Sequence, residues 1–414
     1  MTKPMGPIPP EYAGQRGALT IAGRSAADWM DGRDGPLFVY DPAILAARVA
    51  RFRAAFPSID LHYAIKANPF VPLLGVMAGL VDGFDVASAG ELAKVIGLSK
   101  PVSFAGPGKR DAELTAAIEA GVTINLESEG EATRALAIAE RLGRTPRLAV
   151  RVNPDVELRG SGMKMGGRPS PFGIDAERVP ALVRQLIAAE ADWRGFHIYA
   201  GSQALDPQAI IDTQAATIAL AARLAEEVGH APPLVNLGGG FGVPYFAGDK
   251  ALDIETVGAA LERALVERPA ILTDSHFAIE LGRWLVAEAG VYLARVIDRK
   301  DSGGERFLIL DGGLNHQLAA SGNFGTVVRR NYPLALAHAM GAHAMGAEAV
   351  ETVSVVGPLC TPLDRLGDRV ALPPAAPGDI VAIFLAGAYG ATASPAAFLG
   401  HPPADEVLGE GGPA

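Results

Sequence analysis

The stretch that decides the fold is VTINLES-EGEATRALAIAERLG-RTP-RLAVRVNP, residues 122–154. Its first and last parts, 122–128 and 147–154, are short runs of aliphatic and β-branched residues, which are typical of strands. The intervening segment 129–143 repeats alanine, leucine and isoleucine with helical spacing, which indicates a helix. A strand, a helix and a second strand in this order predict a βαβ unit whose two strands lie parallel in one sheet.

The same alternation recurs from about residue 36 to about residue 285. The runs that read as candidate strands are 37–41, 61–68, 83–88, 101–106, 122–128, 147–154, 195–202, 234–240 and 277–283. Stretches of helical period, such as 90–98 and 207–229, separate them. About eight βα units over about 250 residues is the size of a (β/α)8 barrel, so the sequence predicts a TIM barrel.

The pattern of residue types changes after about residue 290. Runs rich in β-branched residues, such as RFLILDGG (306–313) and DIVAIFLAG (379–387), are separated there by glycine, proline and aspartate turns. This pattern predicts an antiparallel β domain. We therefore expect an α/β protein with a (β/α)8 barrel over 36–288, a C-terminal antiparallel β domain over 289–414, and an N-terminal segment, 1–35, that joins the β domain.

Composition narrows the classes of partner. The 414 residues are 49% hydrophobic and 20% charged, which excludes a disordered chain, and the formal net charge of −10 offers no basic surface for nucleic acid or an anionic membrane. The single cysteine, Cys360, cannot form an internal disulfide, and the first residues lack the basic and apolar regions of a secretion signal. No apolar run approaches the roughly 20 residues that span a bilayer. We expect a soluble, cytoplasmic protein with no membrane partner.

The faces of the candidate strands give the first indication of function. Side chains alternate across a strand, so in 122–128 the polar Asn125 and Glu127 share one face and the apolar Leu126 lies on the other. The apolar face suits the surrounding helices, which leaves a polar set inside the barrel, near the strand ends where barrel active sites lie. The charged and imidazole side chains expected there are Lys66, Arg151, His197 and Glu280. The alternative is that some of them are polar core residues that satisfy one another.

Two local patterns suggest a cofactor. In YAIKAN, 63–68, a lysine ends an apolar strand, and burial makes a lysine amine nucleophilic, as a covalent bond to a carbonyl cofactor requires. Gly238, Gly239 and Gly240 follow another strand and allow backbone N–H groups to approach a phosphate. A dinucleotide fingerprint would need a third spaced glycine at position 243, which is Val243.

Six motifs in order resemble the fold type III, alanine-racemase-like, pyridoxal-phosphate decarboxylases, which include the diaminopimelate and ornithine decarboxylases. The motifs are YAIKAN (63–68), GFDVASAGE (83–91), LGGGFG (237–242), ELGR (280–283), GPLCTPLD (357–364) and GAYG (387–390). They span nearly the whole chain. The resemblance therefore implies a pyridoxal-phosphate enzyme that decarboxylates an amino acid.

The resemblance also implies roles for individual residues. Lys66 would bond the cofactor covalently, His197 would stack on its ring, and Glu280 would face the pyridine nitrogen. The phosphate site would be formed by Ser202, Gly238, Gly239, Gly240, Gly282, Arg283 and Tyr389. Cys360 matches the cysteine that reaches the active site of the other subunit and returns a proton to the substrate carbon, which implies a homodimer with shared active sites.

The chain departs from the family pattern at several positions. Leu281 replaces the proline of the usual E-P-G-R motif, and Thr361 stands where the diamine-type enzymes carry Asp or Glu. The segment 312–333 lacks the R-P-x-L-Y form of diaminopimelate decarboxylases. It resembles instead the subgroup, exosortase-associated enzymes included, that acts on carrier-bound or conjugated amino acids. Arg329, Arg330, Thr361 and Asp364 are the candidate substrate residues, with Asp364 as a turn cap and one arginine on the surface as the plainer alternatives.

The resemblance leaves two other functions open. Racemases of this fold carry arginine where this chain has Glu280, so decarboxylation is favoured and racemisation is the alternative. A catalytically silent cofactor-binding regulator is the second. The supporting groups expected around the cofactor are Asp85, Asn125, Glu127 and Arg151, and 160–174 resembles the family's mobile loop. No metal site is expected, because the histidines include no H-E-x-x-H pattern and one cysteine cannot build a zinc site.

Overall fold

The protein is described here by a computed structural model that covers residues 1–154, the backbone of 163–164, and residues 169–322, 329–341 and 350–410. The chain divides into two compact units. The barrel unit consists of Val49–Gly242 and Ala251–Gly282. The sheet unit consists of Met1–Arg48, Val243–Lys250 and Arg283–Ala414.

The barrel unit is built on a closed parallel sheet. Its first to eighth barrel strands are Asp60–Ala64, Gly83–Val86, Val102–Phe104, Thr123–Leu126, Arg147–Asn153, Asp192–Ile198, Leu234–Asn236 and His276–Leu281. Each pairs in parallel with the next, and the eighth pairs with the first, which closes the sheet. The predicted TIM barrel is confirmed.

Helices alternate with these strands. Pro42–Ala55 precedes the first strand, and the helices between strands are Val71–Ala78, Ala89–Val95, Asp111–Glu119, Glu129–Leu142, Val179–Ala188, Pro207–Val228 and Ile254–Val266. No helix among the described residues is both long and apolar enough to cross a bilayer.

The stretch 122–154 folds as its sequence predicts. The Ser128 hydroxyl accepts a hydrogen bond from the Glu131 N–H at 3.1 Å and so caps the helix Glu129–Leu142. Gly143 ends the helix with φ of +61°, a left-handed conformation that glycine adopts without strain. The apolar stripe of the helix, which includes Ala135 and Ile138, is buried, and the two flanking strands pair in parallel.

The sheet unit contains a second, mostly antiparallel sheet, as predicted. Its strands are Leu37–Tyr40, Gly290–Ser302, Glu305–Leu310, Leu334–Leu336, Glu351–Val356, Arg365–Leu372, Ile380–Ile383 and Asp405–Leu408. The long strand Gly290–Ser302 organises the sheet, because its first half pairs with Leu37–Tyr40 and Ile380–Ile383 and its second half with Glu305–Leu310. The N-terminal residues lie in this unit, where Gly6 donates a backbone hydrogen bond to the Asn331 carbonyl at 3.0 Å.

One candidate barrel strand has a different partner. Leu37–Tyr40 was expected at the start of a barrel over 36–288, but it pairs antiparallel with Gly290–Ser302 and in parallel with Asp405–Leu408. All four of its side chains are buried. A short run that is apolar on both faces suits either kind of sheet, so its sequence alone does not select its partner.

A close helix contact in the barrel unit gives a stability prediction. Gly258 lies in the helix Ile254–Val266, and a Cβ atom there would stand 2.0 Å from the Ala55 carbonyl oxygen. Gly258→Ala should therefore lower the free energy of unfolding by about 1–3 kcal/mol, measured by urea denaturation. Gly75→Ala is the control: Gly75 also lies inside a helix with nothing within 4 Å of its added Cβ, and this change should raise stability by up to about 1 kcal/mol. Equal losses in the two variants would contradict the packing argument.

Candidate active site

The first barrel strand delivers Lys66 to the carboxyl end of the barrel. The strand ends at Ala64, and the 3-10 turn Ile65–Ala67 follows and carries the lysine. The side chain is exposed, and its Nζ lies 5.9 Å from the centre of the Tyr199 ring. The expectation that the Lys66 side chain is buried is therefore wrong for this single chain. The lysine follows the end of the apolar strand and is not part of it.

Glu280 and His197 form the buried centre of the site. Glu280 lies on the eighth barrel strand and His197 on the sixth, and His197 Nε2 is 3.0 Å from Glu280 Oε2. Burial by itself would raise the pKa of Glu280, but the charge and hydrogen bond of His197 and the charges of Lys66 and Arg151 together lower it to about 2. Glu280 is therefore held as a carboxylate inside the barrel. Leu281, the departure from the family motif, continues the eighth strand in register with Tyr63 and leaves the acid in place.

Asp85 on the second barrel strand behaves in the opposite way. Its side chain is 2% exposed, and Oδ1 has no hydrogen-bond partner in the described part of the chain. Burial and then the negative charge of Glu280 raise the pKa of Asp85 well above its ordinary value, against the lowering effect of Lys66 and Arg151. The pKa values of two neighbouring acids are thus shifted in opposite directions: Glu280 is held as a carboxylate, and Asp85 favours its neutral form.

A buried ionic network holds Arg151 in place. Arg151 Nη1 donates to Glu127 Oε1 at 2.9 Å, and the Glu127 backbone N–H donates to Glu131 Oε2 at 2.7 Å. Glu131 in turn accepts from Lys109 Nζ at 2.9 Å. Sequence reasoning found Arg151 and Glu127 but missed Lys109 and Glu131, although Lys109 is only 3% exposed. Its loop setting, GPGKR, has no periodicity that would distinguish it from a surface lysine.

The glycine turn after the seventh barrel strand has the features of a phosphate cradle. Gly238 adopts a left-handed φ of +68°, and a Cβ on Gly239 would stand 1.9 Å from the Glu280 carbonyl oxygen, so both positions need glycine. Among the described residues, the N–H groups of Gly239 and Gly240 have no acceptor, and the buried Ser202 hydroxyl has no partner. Unused donors beside a glycine turn fit the phosphate of pyridoxal phosphate.

The predicted phosphate residues Arg283 and Tyr389 belong to an aromatic cluster in the sheet unit. Arg283 Nη1 donates to the Tyr245 hydroxyl at 3.2 Å, and its guanidinium lies 4.7 Å from the centre of the Tyr389 ring. Tyr389 has a φ of +55°, a strained conformation for tyrosine that persists mainly at functional sites. The ring of Tyr332 packs against that of Tyr245 in a tilted arrangement, with ring centres 4.7 Å apart. Neither tyrosine was among the predicted site residues: Tyr245 lies in no motif, and Tyr332 lies in the segment 312–333, where the family's R-P-x-L-Y form is missing.

Cys360 lies on the hairpin loop that joins Glu351–Val356 to Arg365–Leu372. The cysteine is exposed. Asp364 ends this loop with its side chain 3% exposed, and its carboxylate accepts hydrogen bonds from the N–H groups of Leu359 at 2.9 Å and Leu314 at 2.7 Å. The carboxylate is thus committed to the loop, which favours the turn-capping alternative over contact with substrate.

The two candidate substrate arginines, Arg329 and Arg330, have different surroundings. Arg329 Nη2 donates to the Leu363 carbonyl at 3.2 Å, so it lies beside the loop that carries Cys360 and Thr361. Arg330 is exposed, and its guanidinium lies 3.9 Å from the centre of the Phe246 ring. Residues 160–162 and 165–168 of the predicted mobile loop, 160–174, lie outside the described residues. No cluster of three metal-ligating side chains is found in the described ranges.

Comparison with known proteins gives a consistent picture. The family described as pyridoxal-dependent decarboxylase, pyridoxal binding domain, matches residues 43–287. L-glutamyl-[BtrI acyl-carrier protein] decarboxylase of Niallia circulans is 38% identical over 91% of this chain and 89% of its own length. Diaminopimelate decarboxylase of Archaeoglobus fulgidus is 32% identical over 95% of this chain and 92% of its own. The solved structure of M. jannaschii diaminopimelate decarboxylase in co-complex with L-lysine has a TM-score of 0.84 at 25% identity, covering 98% of this chain and 93% of that one.

The raised pKa of Asp85 predicts that the stability of the chain depends on pH. Because its pKa is raised in the folded chain, Asp85 contributes full stability below its unfolded pKa of about 3.9, and that contribution is lost as pH rises toward the folded value. Asn is neutral at every pH. Asp85→Asn should therefore gain stability relative to the unmodified chain as pH rises from 4 to 8, measured by urea unfolding of the cofactor-free protein. The exposed Asp274→Asn is the control and should show no such trend. A gain that did not depend on pH would contradict the assignment.

Proposed function

The chain belongs to the pyridoxal-dependent decarboxylases and is an amino acid decarboxylase, and on that premise we propose that it removes the α-carboxyl group of an amino acid whose distal end is linked to a carrier. The resemblance of the six motifs to this family is thereby confirmed. The observation that carries the chemistry is the carboxylate of Glu280, which cationic neighbours keep ionised inside the barrel.

The residues of the barrel unit fit pyridoxal phosphate. When bound, this cofactor accepts the electron pair that CO2 leaves on the substrate carbon. Glu280 would keep a proton on the pyridine nitrogen, because a carboxylate with its pKa lowered to about 2 would stabilise an adjacent positive charge. Lys66 would hold the cofactor through its aldehyde group. The N–H groups of Gly239 and Gly240 and the hydroxyl of Ser202 would bind its phosphate.

The proposal for the chemical group at the distal end of the substrate rests on two departures from the family's sequence motifs. Thr361 offers no charge to an ammonium group, and Arg329 and Arg330 in 312–333 do not stand in the R-P-x-L-Y form of the diaminopimelate decarboxylases. A distal group that is neutral because it forms an ester, thioester or amide suits both changes. The Niallia circulans relative, by its name, acts on an L-glutamyl group on an acyl-carrier protein, which supports this class of substrate. Arg329 donates to a carbonyl of the loop that carries Cys360 and Thr361, which supports it as the residue that would meet an anionic group on the carrier arm.

The substrate class is tested by measuring CO2 release. Glutamate loaded through its side-chain carboxyl onto an acyl-carrier protein should be decarboxylated with a kcat/KM about two orders of magnitude above those of free diaminopimelate, ornithine, lysine and arginine. Preference for a free diamino acid would contradict the carrier proposal and leave the decarboxylase intact. Inversion of Cα without CO2 would identify a racemase instead.

A second experiment tests the proposed homodimer with shared sites, in which Lys66 of one chain works with Cys360 of the other. Lys66→Ala and Cys360→Ala homodimers should each be nearly inactive. Random mixing of equal amounts makes about half the dimers mixed, each with one intact site of two, so activity should recover to roughly a quarter of the unmodified level. Verified mixed dimers without recovery would show that Cys360 does not act in trans.

A further inference from the structure

Asn236 uses both ends of its side chain beside the proposed cofactor site. It ends the seventh barrel strand and is 4% exposed. Its Nδ2 donates to Glu280 Oε2 at 3.2 Å, and its Oδ1 accepts from the Gly238 N–H at 2.9 Å. Rotating the amide by half a turn would place its oxygen against a carboxylate and its NH2 against an N–H, so these two partners fix its orientation.

The contacts of Glu280 are all on one oxygen. His197 and Asn236 both approach Oε2, and no hydrogen bond from the described part of the chain reaches Oε1. Oε1 is therefore the oxygen left for the pyridine nitrogen. We propose that Asn236 is a positioning residue for decarboxylation, which presents Oε1 of Glu280 to the cofactor and ties it to the glycine turn. The proposal rests on the role proposed above for Glu280.

The chemistry of a carboxamide suits this position. An N–H donor favours the ionised form of Glu280 without adding a charge that would compete with the pyridine proton. A carboxylate in its place would stand within hydrogen-bond distance of Glu280, where two negative charges cannot both be held, so the pair would share one proton. The bond to Gly238 adds a mechanical link, because Glu280 N also donates to the Gly238 carbonyl at 2.9 Å.

A cavity on the other side of Asn236 makes the proposal testable. This cavity of about 330 Å³ lies toward the amino ends of the strands and is lined by Asn236, His62 and Ser103 among others. Its lining also includes Asp60, Pro101 and His276, which are exposed, so it opens to solvent. Removing the Asn236 carboxamide extends this space, and a molecule as small as formamide can then occupy the position of the missing group.

The experiment is chemical rescue of Asn236→Ala in the cofactor-loaded enzyme. The substitution should lower kcat by about 10- to 100-fold with little change in KM, and should shift the pH midpoint of the bound cofactor's absorption band. Formamide should restore part of kcat and return the pH midpoint, whereas methyl formate, which has no N–H donor, should do neither. Thr123→Ala, which removes a hydroxyl from the lining of the same cavity, should match the unmodified enzyme and not respond to formamide.

Asn236→Asp provides a second, nearly isosteric variant that keeps the acceptor for Gly238. Its activity should fall as pH rises and the shared proton is lost, while the unmodified enzyme keeps its activity over that range. An unchanged pH profile in Asn236→Asp, or a loss in Asn236→Ala that formamide does not reverse, would overturn the proposal. Glu280→Gln distinguishes failure of the Glu280 proposal from failure of the Asn236 proposal. Normal turnover in Glu280→Gln would refute the role of Glu280. An inactive Glu280→Gln together with a fully active Asn236→Ala would refute only the role of Asn236.

Discussion

The structure of the site depends on keeping one negative charge, that of Glu280, inside the barrel. A buried carboxylate is costly unless cations and hydrogen-bond donors surround it. Parallel closure of the sheet provides them, because register places His197 beside both Arg151 and Asn236, and the eighth strand, which carries Glu280, closes the sheet against the first. The neutral form favoured by Asp85 completes the balance, since a second carboxylate there would oppose the first.

The alternating period of the chain was enough to predict the barrel, because each βα unit buries its own apolar stripe and needs no distant partner to be recognised. The stretch 122–154 shows this: its cap at Ser128, its stop at Gly143 and its two strands are all local features. Leu37–Tyr40 shows the limit. Its partners begin at residues 290 and 405, and a run that is buried on both faces contains no information about which distant edge it will join.

Site residues could be predicted where a charged or polar side chain interrupts an apolar strand. They could not be predicted where the residue matters only through its hydrogen bonds in the folded chain. Glu280 and His197 interrupt apolar runs, and their proximity follows from strand order. Asn236 also follows an apolar run, but its importance lies in two hydrogen bonds that the sequence does not show. Asp364 is the converse case: an acid in a motif suggested contact with substrate, whereas two backbone N–H groups occupy its carboxylate.

Under the proposed function, the groups that set the charge around Glu280 and the sequence departures that bear on the substrate lie in different units. The groups that control charge at the proposed cofactor site, Lys66, Glu280 and Asn236, all lie in the barrel unit, where strand register sets their spacing. The departures that bear on the substrate, Thr361 and the segment 312–333, belong to the sheet unit. A loop residue such as Thr361 can change without disturbing a register, whereas a change on a barrel strand alters the electrostatic balance that keeps Glu280 ionised. Substrate choice can therefore vary within this fold while the decarboxylation chemistry stays the same.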